Sequence, residues 1–469
     1  GDFLYMEGEN NSIKKGREAS ENKMGIMKIN KLIIDMSLPL MISMLVQAMY
    51  NIVDSFFVAK ISEDALTAVS LAFPVQQVMI ALGTGTGVGV NAVLSKSLGE
   101  KKFERANQVA RTYVVLSFLT FLVVCIFGFV GVRPFFEAQK SSTITDAAIE
   151  YGIDYLTIIC TVSIGIFYQV GMERLMQSTG KTIYNMYTQL IGAVINIILD
   201  PILIFGLLGF PRLEMKGAAI ATVTAQCIAA CFGFVFNIKF NKEINLNMKG
   251  FKMETKMIKR IYAVGFPSII MGSIGSIMVL GFNKILSQYQ SAVAVFGVYF
   301  KVQSFVFMPV FGMNNGLIPI TAYNYGARKP DRIKETMKWG TIYALGIMIF
   351  GTALFEIFPR QIMSIFAESE NTLSIGVVAL RIISVHFPIA ALSIIRMSML
   401  QALGEGFRSM MVSITRQLFA ILPLAYIFSK IGGLDMVWWS FPLAEIVSFI
   451  MVSIFLKKTF NEKVEPLYE

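Results

Sequence analysis

Two carboxylates stand inside apolar stretches long enough to span a bilayer. Asp54 lies in "QAMYNIVDSFFVAK" (47–60) and Asp200 in "VINIILDPILIFG" (194–206). Ionisable groups at such positions are costly and mark ion or substrate paths. Asn196 precedes Asp200 by one helical turn, so both share a face, and Gln189 lies on the same stripe. Gln47, Tyr50 or Asn51, and Asp54 are spaced alike on the first stretch. If the two stripes meet, they form an oxygen-rich pocket. Two close carboxylates can share one proton. A hard cation such as Na⁺ would instead take carboxylate, amide and hydroxyl oxygens. Either use couples the chain to a cation gradient, and the residues do not choose between them. Plainer roles compete. Asp54 could pair with Lys60, and Asp200 could bond backbone N–H groups freed by Pro201.

The elements that must position these residues are membrane helices. Of 469 residues, 55% are apolar and 15% charged, against roughly 25% charged in soluble domains. About twelve apolar runs have spanning length, near 32–58, 65–95, 108–131, 150–172, 184–208, 216–238, 260–283, 291–320, 337–358, 373–396, 409–430 and 434–456. In lipid each backbone group must be bonded within its own segment, so the runs are read as helices. The net charge of +10 does not point to nucleic acid. Basic residues concentrate in alternate loops, at Lys101–Lys102, Arg174, Lys239–Arg260, Arg328–Lys338, Arg396 and Arg408. That bias puts both termini in the cytoplasm. Residues 1–31 form a polar cytoplasmic tail without a signal-peptide core. Cys125, Cys160, Cys227 and Cys231 lie in apolar runs and read as buried small hydrophobes.

The chain repeats itself. "GTGVGVNAVLSKSLGEKK" (85–102) and "GMNNGLIPITAYNYGARK" (312–329) share G-x3-G-x9-G-x-[KR]-K at an offset of 227 residues. Pro39 pairs with Pro267, Gln76 with Gln303, and "LMQSTGK" (175–181) with "MLQALGE" (399–405). The expected fold is an all-α membrane protein of twelve transmembrane helices in two pseudo-symmetric six-helix bundles. Residues 32–240 and 258–456 form the bundles, a basic linker spans 241–257, and a cytoplasmic tail spans 457–469. Parallel repeats of this kind are a transporter architecture. "GTGTGVG" (83–89) is no phosphate loop, because its glycines lie within an apolar helix and no Gly-Lys-Ser/Thr follows. Small residues there serve close helix packing.

The second half has no acids at the positions matching Asp54 and Asp200. It holds Lys301, which could line the cavity but is expected to pair with Glu445, and a single histidine, His386, read as a core residue ahead of a proton relay. With one histidine and no H-E-x-x-H motif, an intramembrane enzyme is not expected.

"LPLMISMLVQAMYNIVDSFFVAKI", the duplicated glycine motif and "NIILDPILIFG" together resemble the MATE (multidrug and toxic compound extrusion) family, with a bacterial MepA-like and DinF-like flavour. The resemblance covers essentially 32–456. It implies two bundles in a V, exporting organic cations and drugs against Na⁺ or H⁺ across the bacterial cell membrane. It assigns Asp54, Asn196, Asp200 and Thr222 to cation binding, Gln47 and Tyr50 to the drug pocket, and Pro39 to a bend in the first helix. Gln189, on the Asn196 stripe, is expected to join the substrate contacts. No resident cofactor is expected, only the coupling ion. Drug-sized, lipophilic and cationic partners are expected, for a monomer in the bilayer. The competing expectation is a flippase for a lipid-linked glycan, which would favour an arginine-lined cavity for pyrophosphate.

Overall fold

A computed structural model describes residues 21–366 and 369–469. The first twenty residues of the expected tail lie outside them. Ten long apolar helices and two bent helix pairs give twelve spans. They are α1 (Ile29–Ala59), α2 (Glu63–Gly99), α3 (Phe103–Val130), α4 (the pair Asp146–Thr161 and Ile164–Ser178), α5 (Thr182–Phe205) and α6 (Met215–Phe240). The second half repeats them as α7 (Thr255–Leu286), α8 (Ala292–Gly326), α9 (Pro330–Ile357), α10 (the pair Glu370–Ser384 and Phe387–Ala402), α11 (Gly406–Ile431) and α12 (Gly433–Tyr468).

Local chemistry sets the ends. Ser62, Thr145 and Ser369 cap α2, α4 and α10, each accepting a backbone N–H three residues on. The bend of 47° in α10 falls at His386, just before Pro388, which has no N–H for the Ser384 carbonyl, so that oxygen accepts from the Thr352 hydroxyl at 3.1 Å instead. The equivalent bend of 49° in α4 has no proline, and the apolar run gave no sign of it. At the far end of α2, Lys102 N–H donates to Ser97 O, and at the far end of α8, Lys329 N–H donates to Asn324 O, at 2.9 Å each. Between donor and helix, Lys101 and Arg328 occupy the left-handed region (φ 57° and 55°). The Gly-x-[KR]-K motif is therefore one helix stop used twice.

Each half is a bundle. In the first, α1 packs on α5, α6 on α4 and α5, and α2 on α3 and α4. In the second, α8 packs on α9 and α10, α7 on α11, and α10 on α12. The bundles meet where α2 crosses α7 and α8, and where α1 crosses α8. The motif glycines form this seam. A β-carbon on Gly85 would come 2.6 Å from the Ile269 nitrogen, and one on its repeat Gly312 2.7 Å from Met41 Cα. One on Gly99 would strike the Tyr323 carbonyl, and one on Gly326 the Lys96 carbonyl. All these contacts lie in the half of the molecule that holds the start of α1 and the ends of α2 and α8. Toward the other end of α8, a β-carbon on Gly297 would meet nothing within 4 Å. The seam is thus sealed at the terminus-bearing end, and α8 is left uncovered at Gly297 toward the other, where we place the open cleft between bundles.

The expectation of an unpatterned tail fails over residues 21–28. A helical turn, Lys23–Ile26, wedges between the bundles at the sealed end. Asn22 donates to Thr179 O at 3.0 Å and Glu243 Oε1 at 3.3 Å. From the other bundle, Arg332 donates to the Met24 and Met27 carbonyls at 2.9 and 2.8 Å. Met24 is fully buried between them. Periodicity could not find a single turn held by partners from distant sequence. Arg332→Ala is expected to loosen it, so limited proteolysis should cut within 21–28 markedly faster than in the unaltered chain. Unchanged cleavage would mean that Asn22 and buried Met24 hold the segment without Arg332.

Two other expectations need correction. Arg174 and Arg396 are not loop cations; they lie within α4 and α10, and Arg174 is buried. Among the four cysteines only Cys160 is buried, and Cys231 is exposed. Lipid is as apolar as the core, so an apolar run does not tell the two surroundings apart.

Candidate cation and substrate site

The stripes on α1 and α5 do meet. The carboxyl groups of Asp54 and Asp200 face one another inside the first bundle. Asp200 is fully buried and Asp54 half-buried. Asn196 Nδ2 donates to Asp200 Oδ2 at 2.9 Å. Thr222 of α6 is buried beside them, its hydroxyl donating to Ala218 O at 3.0 Å. Tyr50 of α1 lies within reach of Thr222, Asp54 and Asp200. The four residues expected to bind a cation are therefore brought together from three helices, with Tyr50 at their edge.

The competing roles for the acids do not fit this geometry. Lys60 stacks over the Phe56 ring at 4.5 Å, and no ion pair joins it to Asp54 among the described residues. α5 runs unbroken through Pro201, and Asp200 bonds no backbone N–H among the described residues. What remains is a deficit. Asp54 Oδ1, Asp200 Oδ1 and Asn196 Oδ1 are all buried without a hydrogen-bond partner among the described residues. Three acceptor oxygens without donors, two of them on acids, are a poor resting arrangement unless a proton or cation completes it.

Two further residues belong here that the sequence reading missed. Tyr155 of α4 is buried against both carboxyls, and Gln76 of α2 donates to its hydroxyl at 3.1 Å. Gln76 was visible only as a repeat partner of Gln303. A tyrosine hydroxyl within an apolar run was the available signal.

The remaining expected residues lie apart. Gln47 is half-buried on the Asp54 stripe, two turns toward the seam, while Asn51 is exposed. Gln189 belongs to a second polar group, accepting from Gln169 Nε2 at 3.2 Å. Gln169 also donates to Glu173 at 3.2 Å, a buried acid that the sequence reading passed over. Next to it, Arg174 reaches across the seam to Asn315 Oδ1 at 3.1 Å. Pro39 is buried inside a continuous α1, beside the Gly312 contact.

The second bundle answers its buried charge differently. Glu445 pairs with Arg416 at 3.3 Å, which corrects the expected pairing with Lys301. His386 is buried among the Phe307, Phe387 and Phe441 rings, with Nδ1 against Ile383 O. Here an acid has its cation built in. Arg416→Met would strand a carboxylate that is only 3% exposed. Arg416 itself is 30% exposed, so the expected loss is near the low end for broken buried pairs, about 2–3 kcal/mol. Thermal unfolding in detergent measures it, and an unshifted midpoint would contradict the pairing.

The MatE family model matches twice, over residues 39–202 and 264–427. The chain belongs to the MatE family. Both site carboxylates fall in the first MatE repeat, and Thr222 lies just beyond it. Among relatives, the multidrug export protein MepA of Staphylococcus haemolyticus (strain JCSC1435) is 27% identical over 424 residues, covering 89% of this chain and 91% of that one. MepA of Staphylococcus aureus (strain MSSA476) is 26% identical over 422 residues, covering 88% and 90%. A solved structure described as the outward-facing conformation of a multidrug resistance MATE family transporter of the MOP superfamily is 25% identical. It has a TM-score of 0.88 and covers 94% of this MatE chain and 99% of its own.

Proposed function

We propose that this MatE chain is a secondary active exporter of lipophilic organic cations, driven by inward movement of H⁺ or Na⁺ through the Asp54–Asp200 site. The observation that carries this reading is the trio of unpartnered oxygens on Asp54, Asp200 and Asn196. A proton bridging the carboxyls, or Na⁺ among carboxylate, amide and hydroxyl oxygens, would supply what they lack. Asp54 rides on α1, whose opposite side lines the cleft through exposed Ile52 and Phe56. Drawing Asp54 toward Asp200 would therefore reshape the cleft wall, which is how ion binding would shift the equilibrium between cleft states. Pro39, lacking an N–H, is where α1 would flex. The protein would sit in the bacterial cell membrane as a monomer with cytoplasmic termini, so the cleft described above opens outward. The drug-export names of the MepA relatives support the same reading.

The test is efflux of a fluorescent cationic dye from vesicles given a Na⁺ gradient alone and then a pH gradient alone. One gradient is expected to drive export. If neither does, the coupling reading is wrong.

A further inference from the structure

Lys301 lies within the membrane-spanning helix α8, yet it is exposed and makes no ion pair, hydrogen bond or ring contact among the described residues. Its direction follows from its neighbours. The core side of α8 carries Phe296, Tyr299, Phe307 and Val310, all buried in the second bundle. Lys301 is on the opposite side, one stripe with Gly297, Phe305, Gly312 and Gly316 at helical spacing. At Gly312 and Gly316 that stripe presses against Met41 and Ser37 of α1. Nearer the open end it meets empty space at Gly297, and Phe305 is 40% exposed. The stripe continues the seam toward the open end, which puts Lys301 on the side of α8 that faces the first bundle.

Its height also matters. Lys301 precedes the sealed end of α8 by 25 residues, and Asp54 follows the sealed start of α1 by 25. Each is therefore ~37 Å of helical rise from that end. A free ammonium on one bundle stands level with an acid pair within the other. Unpaired lysines in spanning helices face bundle interiors or wet cavities, where they are open to a ligand's charge.

We propose that Lys301 is a specificity-determining residue of the cleft, selecting lipophilic zwitterions over simple lipophilic cations by pairing with a substrate carboxylate. The substrate's amine would lie toward the acid-bearing bundle and its carboxylate toward α8. This inference rests on the export reading above and narrows its substrate class.

The test uses two rhodamine dyes of one skeleton, one with a free carboxylate and the other its ethyl ester, exported from proteoliposomes holding the full chain. Lys301→Met is expected to lower the acid-to-ester export ratio about tenfold, the size of one charge-assisted hydrogen bond. Lys301→Arg is expected to restore it. Ester export by the Met variant reports that it folds. An unchanged ratio overturns the proposal, as does a wild type that exports the ester but never the acid. Loss of both dyes in the Met variant alone also overturns it, because Lys301 would then be structural. If the wild type exports neither dye under either gradient, the export reading fails as well.

Discussion

Asp200→Asn is expected to lower gradient-driven dye export on the order of a hundredfold, since removing one charged member of a buried polar site costs roughly 2–5 kcal/mol. Asp54→Asn should behave alike, because a shared proton or a bridged cation needs both acids. Stability should move the other way. Asp200 is fully buried with an unpartnered oxygen, so an amide removes a charge the fold must otherwise tolerate. The variant is expected to melt at the same temperature or higher while failing to transport. That split separates a coupling residue from a structural one. Normal export by both variants at wild-type protein levels would remove the site from the mechanism.

The second large effect is expected at the seam. Gly326→Val puts a branched side chain where even a β-carbon would strike the Lys96 carbonyl of the other bundle. Overpacking a core costs about 1–3 kcal/mol, but here the bundles can relieve it by parting at the sealed end. The expected outcome is a folded chain held open at the terminus-bearing end, with dye export close to background. A cysteine at Ser97, buried beside Lys96 on α2, should then react with a membrane-impermeant thiol reagent many times faster, in a background whose four native cysteines are replaced. Gly99→Val should do the same from the other helix, since it would strike the Tyr323 carbonyl. Unaltered labelling together with normal export would show that the contact is not a closure point.

Much of this was readable from residues alone because membrane helices state themselves locally. Length and apolarity announce a span, and a repeated glycine motif announces a repeated contact. Asp54, Asn196 and Asp200 stood out because each is polar in an otherwise apolar run. Tyr155 and Gln76 escaped because their importance lies in what they touch across 79 residues, not in their own spacing. Glu173 and Arg174 escaped for a related reason. Arg174 counted as a loop cation and Glu173 drew no notice beside it, whereas α4 continues past them and buries both. Lys301 was noticed but given the wrong partner. Charge alone suggested Glu445, yet Arg416 of α11 already holds that acid. Sequence marks which residues are unusual in lipid, and only packing says which of them find each other.

The seam has one more consequence. Its closest approaches are glycine against helix backbone, at Gly89, Gly99 and Gly326, with Gly85 and Gly312 next. Helical backbone groups are already bonded within their own helix. When these faces separate, few side chains must change rotamer, and water that enters meets surfaces with few hydrogen bonds to offer. Such a joint resists opening mainly through lost van der Waals contact, which is fully regained on closing. These glycine faces behave as a bearing more than as a clasp, and what must release and re-form at that end is polar: the Arg174–Asn315 bond and the turn at 21–28, held from both bundles.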